Sequence, residues 1–183
     1  ATQGFVRTNP EFYAAAASTS GLAVPDGTSQ LPEGAGGAMP DFVITGQSDL
    51  DNLMPDLWGS EMANEWITYL FDVNNMPDAQ IGTADDEHEF INDRTKVYTW
   101  ENSDGVPMVK YGYTLLRAHN CSPYEMPILW DFMEHFSFEK AADGTVTRYY
   151  SPSAFEKNDA VKIDYIPGAV TPDDDDDDDW DDD

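Results

Sequence analysis

Apolar positions along the chain fall into short clusters whose spacing switches between helical and alternating. Phe5, Thr8 and Phe12 lie roughly on one helical face and Asn9-Pro10 is a break, so residues 1–12 read as the end of a helix. Tyr13 to Thr19 is small and apolar and closes at Ser20-Gly21, which predicts a short buried strand. Residues 21–37 are rich in Gly, Pro, Ser and Asp and read as a surface loop. Met39 to Gly46 predicts a second strand, stopped by its glycine. Trp58, Met62, Trp66 and Tyr69-Leu70 recur at helical spacing, predicting a helix over about 56–71.

Residues 74–93 are polar and acidic and read mostly as loop. Lys96 to Glu101 and Val106 to Leu116 read as two strands joined around Ser103-Asp104-Gly105, a tight-turn sequence. After a loop at 120–123, a last helix carries Met126, Leu129-Trp130, Met133 and Phe136 on one face. Ser122-Pro123-x-Glu125 resembles a capping box, although Pro127 allows the helix to begin there instead. Thr145 to Tyr150 and Ala160 to Ile166 predict a final hairpin. The order suggests an α/β sheet covered by helices over residues 1–140, a β-rich extension over 141–171 and an acidic tail over 172–183. A doubly wound sheet does not begin in mid-helix, so further strands are expected upstream of Ala1.

Charge changes the picture at the end of the chain. Asp173 to Asp179 is an unbroken acidic run, followed by Trp180 and three more aspartates, and is expected to stay solvated. Its ten aspartates account for ten of the −27 charges, so the 172 residues before the run still carry −17. Such a surface repels phosphates, which argues against nucleic acid or an anionic membrane as a partner. It suits a salty or calcium-rich setting without fixing a compartment. The 183 residues, 40% hydrophobic and 13% aromatic, are enough for a packed core. A single cysteine, Cys121, excludes an internal disulfide and a cysteine-based metal cluster, and no apolar run approaches transmembrane length.

Two loops carry the candidate chemistry. Gly46-Gln47-Ser48-Asp49 follows one predicted strand, and Arg117-Ala118-His119-Asn120 follows another. Active sites of open α/β sheets gather beyond the carboxyl ends of strands, and an Asp followed later by a His fits the chain order of α/β-hydrolases. In that chemistry His is the general base, and the carboxylate fixes its tautomer and stabilises the imidazolium. An Asp after Gly is also an ordinary turn residue, and a lone His is also an ordinary structural one; spacing alone leaves both readings open.

Three segments add a resemblance. Pro10-Glu11-Phe12-Tyr13-Ala14-Ala15-Ala16 through Ser20-Gly21 resembles the segment after the nucleophile helix of polyhydroxybutyrate depolymerase and feruloyl esterase-like α/β-hydrolases. Phe42 to Asp49 is similar to their strand, glycine and acid loop. His119-Asn120, with Leu129-Trp130-Asp131-Phe132-Met133 and His135-Phe136-Ser137, resembles their histidine loop and closing helix. The resemblance runs from Ala1 to about Phe138 and implies the C-terminal portion of an α/β-hydrolase fold. It implies a carboxylic-ester hydrolase with Asp49 as triad acid and His119 as base, needing neither cofactor nor metal. Asp51 is the fallback acid, otherwise a solvated loop residue.

The departure from that family is the nucleophile. No Gly-x-Ser-x-Gly occurs in the chain, and by the resemblance the elbow belongs a few residues before Ala1. The sequence as given therefore does not complete the acyl-transfer machinery; its implied partners are an ester substrate and an upstream segment carrying the serine. Ser18 and Ser20 read as polar residues at a strand end, and Ser137-x-x-Lys140 as part of the last helix. Asp85-Asp86-Glu87-His88-Glu89 reads as a hydrated acidic loop rather than a metal site, and Asp49-Leu50-Asp51-Asn52 lacks the glycine of a calcium loop. Cys121 reads as a buried filler, and Trp58, Trp66 and Trp100 as pocket or core residues alike. Two other functions fit: a binding module that kept the fold and lost the elbow, and an acidic calcium-binding surface protein.

Overall fold

The computed structural model describes residues 2–21, 39–49, 61–84, 89–155 and 157–163. Phe42, Val43 and Ile44 are buried on consecutive positions, as a strand covered on both faces requires. They belong to β2 (Asp41–Ser48), which pairs in parallel with β1 (Ala16–Thr19) on one side and with β5 (Pro107–Ala118) on the other. β5 continues into antiparallel β4 (Thr95–Glu101), and β4 into antiparallel β3 (Glu89–Ile91). The sheet order is β1-β2-β5-β4-β3, with only β4 running against the other four strands. The structure is thus mixed α/β with a mostly parallel sheet.

The hairpin at 103–105 forms where expected. The Asn102 side-chain oxygen accepts from the amides of Asp104 and Val106 at 3.0 and 2.9 Å, and Gly105 takes φ +73°. α2 (Glu61–Val73) connects β2 to the β3–β5 unit and buries Ala63, Trp66, Ile67, Leu70, Phe71 and Val73 against the sheet, an i, i+3, i+4 stripe. Trp66 and Trp100 are core residues, whereas Trp58 and the start expected for this helix lie outside the described residues. Within 74–93, expected as loop, the chain forms the short α3 (Ile81–Ala84) as well as β3.

At the chain's start, α1 (Thr2–Thr8) is fixed by a buried polar knot. Arg7 pairs with Asp41, and Gln3 donates to Asp41 at 3.0 Å and to Ser18 at 3.1 Å. The Arg7 guanidinium also lies 5.8 Å from the Trp66 ring centre. Burial pushes the Asp41 carboxyl up, while the Arg7 charge and the Gln3 hydrogen bond pull it back. Arg7 meets the first residue of β2, while Gln3 also reaches Ser18, which is level with Val43. Arg7 and Gln3 thus both fasten α1 to the start of β2, and Gln3 fastens it to β1 as well.

The end of the chain corrects the sequence reading. α4 (Met126–Met133) stops before Phe136, which instead opens β6 (Phe136–Lys140). β6, β7 (Val146–Tyr150) and β8 (Val161–Ile163) form a second, antiparallel sheet. Phe136-Ser137-Phe138 alternates as a strand does, but Met133 and Phe136 are also one helical turn apart, and the pairing with β7 decides between them. Ser137 and Lys140, three apart on a strand, lie on opposite faces; the strand, not a helix, accounts for that motif. On α4 the buried residues are Leu129 and Phe132, while Met126 and Trp130 are 42% and 53% exposed. The capping box does not form: the helix starts at Met126 with Pro127 in its first turn, and the Glu125 side chain turns inward. Arg148 of β7, also buried, donates to Tyr13 O at 3.1 Å and to Pro10 O, tying the second sheet to the α1–β1 connection.

Candidate functional site

Because β2 and β5 are adjacent and parallel, their carboxyl ends open on the same side. Asp49 follows β2 directly and His119 follows β5 directly. The two side chains meet: His119 Nδ1 is hydrogen-bonded to Asp49 Oδ1. The Asp49 side chain is 0% exposed and that of His119 47%. A carboxylate only accepts, so Nδ1 carries the proton and the Nε2 lone pair is left as the basic site. Among the described residues Nε2 has no hydrogen-bond partner, and no serine hydroxyl bonds to His119. The contact brings a buried carboxyl group and a half-exposed imidazole together across 70 residues of sequence.

Local backbone features deliver these two residues. Gly46 does not stop β2; it lets the two strand ends approach. A Cβ there would lie 2.5 Å from Arg117 O and 3.0 Å from Ala118 O. Between the pairs Gly46–Thr114 and Ser48–Ala118, β2 has one residue and β5 has three, so β5 carries a two-residue bulge. Within it Leu116 takes φ +57°, a strained value for a side chain of its size, and stands 82% exposed. Its amide donates to the Gln47 side-chain oxygen at 2.9 Å, replacing the ladder bond that the bulge removes.

The bulge turns Arg117 inward, where it is buried. Nη2 donates to Ile44 O at 3.1 Å; Nη1 donates to Ser20 Oγ at 2.5 Å, to Ala118 O at 3.2 Å and to Asn120 O. Nε lies 2.6 Å from Glu125 Oε1, an ion pair whose N–H does not point along the contact. The same Glu125 oxygen accepts from Thr114 Oγ1 at 2.9 Å. Ser20, at φ +52°, also donates from Oγ to Asn120 O at 3.0 Å. The sequence reading placed Gln47 and Arg117 in the two candidate loops, Glu125 in a capping box and Leu116 at a strand end, and gave none of them a part in the site. The available signal was a charged residue, Arg117, continuing the inward positions Tyr111 and Tyr113 of an apolar strand.

The other candidates separate from this centre. Ser18 is buried against Gln3, Ser20 belongs to the Arg117 cluster, and Ser137 lies in the second sheet. Cys121 is exposed rather than a buried filler. Asp51 and Asp85 to His88 lie outside the described residues. Among the described residues no group of three or more His, Cys, Asp or Glu could hold a metal ion, and no helix is long and apolar enough to cross a membrane. An open cleft of about 630 Å³, bordered by Leu116, Arg117, Asn120, Cys121 and Tyr124, flanks the histidine loop. Another, of about 700 Å³, lies at the opposite end of the sheet beside Trp100 and Asn102. Compared with models of protein families, with curated protein sequences and with solved structures, the chain matches none.

Proposed function

We propose that this chain is the C-terminal portion of an α/β-hydrolase that cleaves carboxylic esters by serine acyl transfer to water. Asp49 is the triad acid, His119 is the general base, and the serine is supplied by a segment upstream of Ala1. The observation that carries this reading is the Asp49–His119 hydrogen bond at the carboxyl ends of adjacent parallel strands, with acid before base in the chain. In the reaction His119 Nε2 takes the proton of the attacking serine and returns it to the leaving alkoxide. Asp49 holds Nδ1–H and stabilises the imidazolium between those steps. One further feature supports it. Among the described residues no strand pairs with the outer edge of β1, the position a nucleophile strand would take. The substrate class, a short hydroxyacyl or aryl ester, comes from the family resemblance.

The test is reconstitution. The 183-residue chain should neither hydrolyse p-nitrophenyl acetate above background nor label with a fluorophosphonate. Joined to an upstream segment ending in a Gly-x-Ser-x-Gly elbow, it should do both. Labelling of the chain alone at Ser18, Ser20 or Ser137 would refute the assignment.

A further inference from the structure

Arg117 lies two residues before the proposed base and never touches it, yet it is the residue on which the surrounding segments converge. Its guanidinium binds the strand core through Ile44 O, the end of β1 through Ser20 Oγ, the histidine loop through Ala118 O and Asn120 O, and the approach to α4 through Glu125. The carbonyls it holds belong to the residues on either side of His119. Ser20 Oγ, Ala118 O and Asn120 O share the two Nη1–H donors, Ile44 O takes one from Nη2, and Nε faces Glu125 as a charge contact; a planar, rigid fork holds that arrangement, whereas an ammonium on a flexible stem cannot. Burying that charge is costly unless it is met, and the buried Glu125 carboxylate meets it. The strained Leu116 and the side-chain bond from Gln47 give the same indication: the backbone is distorted where it must turn Arg117 in and carry His119 to Asp49.

From this arrangement we propose that Arg117, with Glu125 as its counter-ion, is a positioning residue that holds His119 in register with the Asp49 carboxylate. The inference rests on the acid–base reading of that pair. It adds that the pair is held together by clamping the two backbone carbonyls that flank His119, and not by the Asp49–His119 bond alone. Without the clamp, a loop with a half-exposed histidine at its centre samples other orientations, and the imidazole returns to the tautomer mixture of a solvated ring.

The experiment reads the tautomer directly in the 183-residue chain, independently of esterase activity. ¹⁵N-labelled protein is compared with R117M, R117K, E125Q and D49N at about pH 8.5, two units above the ordinary imidazole pKa of ~6.5. His135, whose Nδ1 lies 2.7 Å from Ser151 O beside the second sheet, is an internal control. In the unmodified chain His119 should show a single Nδ1–H tautomer with a slowly exchanging, strongly downfield Hδ1. R117M should lose that Hδ1 resonance and give averaged ring nitrogens, as D49N does, while His135 and the sheet amides stay in place. R117K should retain it only in part. If R117M does not fold, E125Q decides, and it should broaden or lose the His119 signal with His135 unchanged. An unaltered His119 signature in folded R117M, or in E125Q where R117M is unfolded, overturns the proposal and leaves the acid–base pair standing. Absence of the signature from the unmodified chain overturns both.

Discussion

Gly46→Ala is the substitution whose consequence the geometry specifies most closely. Gly46 lies at no positive φ, so an alanine meets no backbone strain there; its difficulty is steric. The new Cβ would face Arg117 O at 2.5 Å, with Arg117 C and Ala118 O both at 3.0 Å. All three are backbone atoms that no rotamer change can withdraw, so the ends of β2 and β5 must part by about 1 Å to restore ordinary contact. Overpacking of this kind costs about 1–3 kcal/mol. Alanine returns roughly 0.4–1 kcal/mol by restricting the unfolded chain. The net loss is on the order of 1–2 kcal/mol, which in a domain of this size lowers Tm by roughly 2–8 °C. The same displacement lies between Asp49 and His119, and a misplacement of about 1 Å costs an active site ~10²-fold in rate. Differential scanning calorimetry checks the first figure, and the His119 Hδ1 resonance or the reconstituted kcat checks the second. Gly82→Ala is the control: nothing lies within 4 Å of a Cβ there, and Gly82 sits in α3, so the change should be neutral or slightly stabilising. Gly46→Ala with Tm and the His119 signal both unchanged would refute the view that this glycine sets the approach of the two loops.

Arg7→Met should destabilise the fold by about 3–5 kcal/mol, because it leaves the buried Asp41 carboxylate without its counter-charge; Arg7→Met/Asp41→Leu should recover much of that loss in chemical denaturation. Asp159 accepts from the Ser151 and Ser153 hydroxyls and from the Ser153 amide at 3.0 Å, and these bonds hold its carboxyl below the ordinary 3.8. A depressed carboxylate contributes stability above its ordinary pKa and loses it as pH falls through the lowered value. The Ser153 amide should therefore stay protected to below about pH 4, and D159N should abolish the transition; protection lost well above that pH would contradict it. Leu116→Gly should leave stability unchanged or raise it by up to about 1 kcal/mol, since glycine takes φ +57° freely and the leucine is exposed. A large loss in thermal melts would show that Leu116 packs in the folded chain.

The sequence carried the Asp49–His119 pairing more fully than it carried the scaffold that aligns it. Asp49 and His119 were legible because each ends a strand with a clear apolar pattern, and parallel neighbours bring such ends together. The bulge was not, because Leu115-Leu116 reads as the plain end of a strand with Arg117-Ala118 opening a loop, and two extra residues leave no mark on the alternation. Gly46 looked like a terminator because glycine is the common punctuation of strands, while its use here depends on a carbonyl 71 residues away. Phe136 was drawn into the preceding helix because its spacing from Met133 suits either period, and only the β7 partner separates them. Glu125 fitted a capping pattern locally, but burial beside Thr114 and Arg117 outweighs a cap that water could replace.

The central claim is that Asp49 and His119 act as one acid–base unit on an ester-cleaving serine. The test is kcat for ester hydrolysis in the chain joined to an upstream segment ending in a Gly-x-Ser-x-Gly elbow, measured for H119A, D49N and D51N. H119A and D49N should each lower kcat by on the order of 10⁴-fold with folding retained, and D51N should change it little. Equal, mild effects at all three positions would contradict it.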